Sequence, residues 1–183
     1  MTKNRINLTD LYLAELHIFQ TRLDSHVAIS IDTGEQQMGA GVIPFAVNDS
    51  NVYFLFQTTF TGRKAGFLID FGGGQGAGED YRETAIREFV EETETMYFST
   101  DVSHASRTVE RVNNQIPVVA ALFDATLAVH PDWWCRRQPG DPLRPKLWKT
   151  FFIEFPYRDI GELNRGWATD TAGRFRKRRE LVW

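Results

Sequence analysis

Residues 71–94, FGGGQGAGEDYRETAIREFVEETE, constrain this chain more than any other stretch. Glycines crowd its front and carboxylates its back. Advancing about 100° per residue gathers Ala85, Ile86, Phe89 and Val90 on one stripe, the mark of a helix burying one face. Glu88, Glu91 and Glu92 fall together on another, since positions three and four apart are neighbours. Glu83, Arg87 and Glu91 are spaced four apart and suited to ion pairing. The helix is expected over Glu79 to about Glu94. A solvated, salt-bridged surface helix is the ordinary explanation of such acids. Two details oppose it. Glu88 and Glu92 are like charges at i, i+4, and the acids crowd the C-terminal end, where the helix dipole favours cations. A hard divalent cation would relieve both, because Mg²⁺ takes carboxylate and phosphate oxygens. The glycines allow close backbone approach, and N–H groups of such loops and of helix N-termini favour phosphate.

Other motif chemistries are weaker. Gly72, Gly74 and Ala77 fit a G-x-G-x-x-A dinucleotide fingerprint. The acid expected about 20 residues on, at the end of a second strand, would here fall in or just past the helix. No P-loop, EF-hand loop or G-x-S-x-G elbow occurs. No His/Cys cluster suggests zinc.

The chain has 183 residues, a net charge of −3 and one cysteine, Cys135. That length suits one domain. The charge gives no strong signal for nucleic acid or an anionic membrane. A lone cysteine allows no internal disulfide and fits a reducing compartment. There is no secretory h-region at the start, and no apolar run near the 18 residues of a membrane span. The cytoplasm is the expected location.

Residues 10–24 are expected to be helical and 26–32 a strand, followed by a flexible connection at 34–41. Strands are expected at 41–47, 52–56 and 67–71, the first two joined as a hairpin through the Asn-Asp-Ser-Asn turn. Pro44 suggests that the first is an edge strand or bulged. A short helix is expected at 103–114. Residues 116–129 are ambiguous by periodicity; their valines and the proline preceding them, Pro117, favour a strand. Residues 130–149 read as loop, 150–155 as strand, and the tail from Asp159 as helical near its end. Strands outnumber helices without regular alternation, which points to a mixed α+β arrangement.

The spacing Gly73, five residues, Glu79, seven residues, then Arg87-Glu88-Phe89-Val90-Glu91-Glu92 resembles the Nudix box, G-x5-E-x7-R-E-U-x-E-E-x-G-U, with U bulky and apolar. The resemblance implies an α/β/α sandwich with a mixed central sheet, here one domain over 1–183 with a helical N-terminal extension at about 1–35. It implies metal-dependent hydrolysis of a diphosphate linkage, typically in a nucleoside diphosphate joined to another group. Mg²⁺ or Mn²⁺ would be the cofactor. Carried over by position, Glu88, Glu91 and Glu92 would bind metal with the carbonyl of Gly73. Arg87 and Glu79 would pair to orient loop and helix, completing the catalytic set. Alternatives are a non-nucleotide diphosphate substrate, or a nucleotide-sensing module of this fold without turnover. The box departs from the pattern at Glu94, where the family has Gly, and at Thr95, where it has an apolar residue. If that site has φ > 0, Glu94 costs on the order of 1 kcal/mol.

Outside the box, Arg63 and Lys64 are candidates for substrate phosphate, as are the backbone groups of Gly72 and Gly74; a solvated loop is the competing account of the two cations. Glu154, Asp124 and Glu110 are candidate general bases by residue type alone. Trp133 and Trp134, beside Arg136 and Arg137, suit either base stacking or packing. Arg174 to Arg179 form a basic run suited to a solvated helix face or a weak anionic contact. Oligomeric state is open; a homodimer through the N-terminal segment is the candidate assembly.

Overall fold

The computed structural model describes residues 38–60, 62, 64–137, 147–170 and 179–183. The helix expected at 10–24 and the strand at 26–32 lie outside these, as do Arg63 and residues 174–178.

The fold is α+β, built on a mixed five-stranded sheet. Its long central strand is β1 (Met38–Asn48), so the expected flexible connection already contains its start. One edge of β1 carries β6 (Leu147–Glu154) in parallel, and β6 carries β5 (Trp134–Arg137) antiparallel. The other edge carries two antiparallel partners end to end: β2 (Asn51–Phe54) against Phe45–Asn48, and β4 (Phe71–Gly74) against Gly39–Val42. The β1–β2 hairpin is the expected one. Asp49 and Ser50 have φ of 48° and 62°, the left-handed pair a two-residue hairpin loop requires.

Pro44 is in the central strand, not at an edge. Its carbonyl accepts from Leu55 N at 2.8 Å, and its missing N–H leaves the reciprocal bond of that antiparallel pair unmade, at the point where β2 ends. The run expected as one strand over 52–56 breaks at buried Leu55. Beyond it β3 (Phe56–Thr59) leaves the main sheet and pairs with β7 (Arg179–Val182). The C-terminus is therefore a strand, and helix appears earlier in the tail, at α3 (Gly161–Ala168).

The strand expected at 67–71 is displaced onto the glycines. Phe67 and Leu68 are exposed, and only Ile69 bridges, to Gln57. From Phe71 the chain lies so close to β1 that a Cβ on Gly72 would sit 2.5 Å from the Ala40 carbonyl. Gly72 to Gly74 are thus strand, with glycine at 72 permitting that approach, and the loop expected of the glycines is kept at Gln75 to Asp80.

Helix α1 (Tyr81–Glu92) starts two residues later than expected. Asp80 and Glu83 form a capping box, each side chain accepting from the other's backbone N–H at 2.8 Å. The expected apolar stripe is buried. Phe89 is its centre, with ring centroids 4.8–5.6 Å from Phe155, Phe71 and Tyr97. This packing fixes the helix's rotation and so the direction of its carboxylates.

Two further expectations are corrected. Residues 102–104 form a single 3₁₀ turn, and a long helix, α2 (Val109–Val129), covers both the short helix and the strand expected there. Val112, Val119, Phe123 and Thr126 are its buried positions, a helical spacing. Alanine and leucine between them favour helix, while Pro117 lies exposed and costs one backbone bond. By length and composition α2 could cross a membrane, which the search for uninterrupted apolar runs overlooks; in this fold it packs on α1 and β6.

Candidate active site

The acidic face of α1 looks onto β4. Glu79 and Arg87 form its rigid hinge. The Arg87 guanidinium donates to Glu79 from Nε at 2.6 Å and from Nη2 at 3.1 Å, and Nη2 also reaches the Gly74 carbonyl at 3.0 Å. Glu79 further accepts from Gly76 N and Thr84 Oγ1. The Arg87 hydrogen bonds hold the Glu79 carboxyl down to about 2, and Glu79 holds the guanidinium above its usual range.

Glu88 points at Gly73. A Cβ there would fall 2.3 Å from the Glu88 carboxyl carbon, so this glycine is what allows the carboxylate to lie against the strand. Burial pushes the Glu88 carboxyl up, against the opposing pull of Arg87 at 2.7 Å.

Glu92 is held on both oxygens. Gly72 N donates to Oε2 at 2.9 Å and Gln57 Nε2 at 2.5 Å, while Arg179 Nη1 lies 3.1 Å from Oε1. The expected substrate role of the Gly72 N–H therefore meets a carboxylate already in place. Arg179 also donates to Gln57 Oε1, and its side chain is only 2% exposed. Its Nε has no hydrogen-bond partner among the described residues.

Glu91 is paired with Arg107, and more loosely with Arg87 at 3.6 Å. Arg107 is in the segment between the 3₁₀ turn and α2. The preceding Ser106 is pinned by Thr95, whose Oγ1 donates to Ser106 O at 3.0 Å and accepts from Ser106 N at 3.1 Å. Thr95 follows the helix exit, where Glu94 and Thr95 both have left-handed φ, 53° and 62°. The position the box reserves for glycine thus keeps a glycine-like backbone with Glu94, whose side chain is fully buried.

Each clustered carboxylate therefore has its own arginine: Arg87 for Glu88, Arg107 for Glu91, Arg179 for Glu92. This answers the charge problem of the helix end without an ion. The donor set, three carboxylates beside the Gly73 main chain, has the hard-oxygen chemistry of Mg²⁺ or Mn²⁺ sites. As folded, no three Asp, Glu, His or Cys side chains converge on one point among the described residues.

The other candidates lie apart. Lys64 is on an exposed turn with no ion pair or hydrogen bond to the carboxylates among the described residues. Asp124 is exposed and pairs with Arg82 at 2.5 Å; Glu110 and Glu154 are exposed. Trp133 stacks on His130 at 3.6 Å, and Trp134 lies under Lys149 at 3.7 Å, both packing roles. Gln57, Arg107 and Arg179 were not legible as site residues. Gln57, a neutral amide inside an apolar run, gave no signal; the two arginines gave only their charge, and Arg179 was hidden at the end of a basic run.

No protein-family model matches the chain, and no curated protein does. Among solved structures it is similar to a C. elegans Ap4A hydrolase binary complex, with 15% identity over 75% of this chain and 98% of that one, TM-score 0.41. It is also similar to the NUDIX domain of Shewanella oneidensis NrtR complexed with ADP ribose, with 12% identity over 86% and 73%, TM-score 0.38. A mutT/nudix family protein from Listeria innocua matches at 15% identity over 80% and 76%, TM-score 0.38. Similarity this distant assigns no activity to the chain.

Proposed function

We propose that this chain is a Nudix-type hydrolase that cleaves a diphosphate linkage with the help of Mg²⁺ or Mn²⁺, the substrate being a nucleoside diphosphate joined to another group. The observation that carries the reading is the apposition of Glu88 and Gly73, locked by the Arg87–Glu79 hinge. A box with this spacing needs that contact, and a surface helix does not.

In this reading Glu88, Glu91 and Glu92 with the Gly73 carbonyl would hold the metal. Bound there, it would neutralise phosphate charge and lower the pKa of a coordinated water. Arg87 and Glu79 keep the strand–turn–helix unit rigid. Glu88, whose carboxyl is raised by burial, would also help to activate that water. Arg63 and Lys64 remain proposed phosphate contacts, and the cytoplasm the proposed location.

A second reading has a specific observation behind it. Arginine pairing of all three carboxylates suits a nucleotide-sensing module that needs no metal. The test is phosphate-ester release from a panel of nucleoside diphosphate derivatives and non-nucleotide diphosphates, with and without Mg²⁺. Metal-dependent turnover that falls about 10²–10⁴-fold in Glu88→Gln supports the enzyme. Tight nucleotide binding with no turnover in wild type selects the sensor.

A further inference from the structure

Four carboxylates (Glu79, Glu88, Glu91 and Glu92) face three guanidiniums (Arg87, Arg107 and Arg179) at this site. The guanidiniums are not equivalent. Arg87 belongs to the hinge. Arg179 is buried on β7, tied to Gln57 as well as Glu92, and removing its partner would strand a charge away from water. Arg107 is different. Its side chain is 26% exposed, it comes from an irregular segment, and its partner Glu91 is 20% exposed. It is bonded to one carboxylate alone among the described residues, and water can replace that bond when it opens.

We propose that Arg107 is a built-in competitor for the divalent cation: it occupies Glu91 in the metal-free protein and must be displaced when metal binds. This rests on the metal-site reading above. The physical argument is competition. With Arg107 bonded to Glu91 Oε2, that oxygen gives less of its electron density to an ion, and the two cations repel at contact distance. Glu88 and Glu92 cannot be the point of exchange so readily. Glu88 is bound by the same arginine that locks Glu79. Glu92 accepts from three donors on three strands. Exchange at Glu91 breaks one partly exposed pair and leaves the framework intact. Thr95 supplies the return path, since its two bonds to Ser106 keep Arg107 next to Glu91. The device makes metal affinity weaker than the carboxylate count suggests. It also frees a guanidinium beside the site at the moment an anionic diphosphate would arrive with its metal.

The experiment is Mn²⁺ binding to the full chain, followed by electron paramagnetic resonance of the free ion and by calorimetry, without substrate. Wild type, Arg107→Gln and Arg107→Lys are compared, with Arg111→Gln, an exposed cation on α2, as control. Arg107→Gln should bind Mn²⁺ about tenfold more tightly, the weight of one charge-assisted hydrogen bond. Arg107→Lys should lie between it and wild type, and the control should match wild type. Equal affinity in wild type and Arg107→Gln, with binding present, overturns the competitor and leaves the metal site standing. An equal gain in the control reduces the effect to net charge and overturns it too. Absence of Mn²⁺ binding in every protein overturns the metal reading, and the competitor with it.

Discussion

At the scale of single residues the site is a set of unequal ion pairs. Glu79 sits low, its folded value about 2 against about 4.5 for an ordinary glutamate. Folding therefore favours its ionised form. The stabilisation is complete above pH 4.5 and drains away as pH falls toward 2. Solvent screening of this partly exposed pair brings it to on the order of 1–2 kcal/mol. Glu79→Gln should be less stable than wild type by that amount at pH 7, and the gap should narrow as pH falls from 4.5 toward 2; urea denaturation across this range measures it. Glu88 has the opposite sign, since burial raises its value and its ionisation opposes folding as pH rises. Arg179 is the extreme case. Arg179→Met leaves Glu92 without its buried counter-charge and should cost about 3–5 kcal/mol. The double variant with Glu92→Gln should recover part of the loss, and a melt of all four proteins reads the coupling. A melt for Arg179→Met within 0.5 kcal/mol of wild type, on the order of a surface substitution, would contradict the buried pair.

At the scale of elements, α1 was legible because two periodicities agree in it. Its apolar stripe and its acidic stripe are both set by the helical repeat, so burial of Phe89 orients Glu88, Glu91 and Glu92 together. Three elements were misjudged for physical reasons that local pattern cannot carry. β4 is three glycines after Phe71, a composition with low strand propensity, and its glycines answer to tertiary crowding: β1 leaves no room for a side chain on Gly72, and Glu88 leaves none on Gly73. Pro44 is tolerated centrally because its missing N–H falls where β2 ends, so it forfeits one bond to Leu55 and keeps the other. In α2 the valines and Pro117 argued for a strand, while packing of Val119 and Phe123 against the sheet selects a helix. That helix gives its own test. Pro117 is exposed within it and interrupts the backbone ladder, so Pro117→Ala should raise stability by about 1–3 kcal/mol. A strand at this position would gain little from alanine, so an unchanged or lowered melting temperature would count against α2.

At the scale of the whole molecule, the site depends on a strand that the box does not contain. β7 is held by paired bonds between Asn164 and Leu181, by the Trp183 indole donating to the Arg158 carbonyl at 2.8 Å, and by Trp183 stacking on Tyr157. Those contacts seat Arg179 opposite Thr59 on β3, whose Gln57 turns to the same Glu92. No sequence pattern announces this, because the partners lie at opposite ends of the described chain and their meeting is set by topology. Deletion of residues 179–183 should therefore reach further than loss of a terminal strand. It removes the Glu92 counter-charge, opens the edge of β3, strands the Asn164 side chain of α3 and uncovers the Tyr157 ring. Trp183→Ala separates the two effects, because it loosens the strand's end while keeping Arg179. We expect the deletion to abolish cooperative unfolding or lower its midpoint sharply. Trp183→Ala should cost less than the about 3–5 kcal/mol of a core aromatic, because the ring is half-buried. Should the deletion variant melt like wild type and retain metal-dependent turnover, β7 would be an ornament of the fold, and Glu92 would hold its place through Gly72 and Gln57 alone.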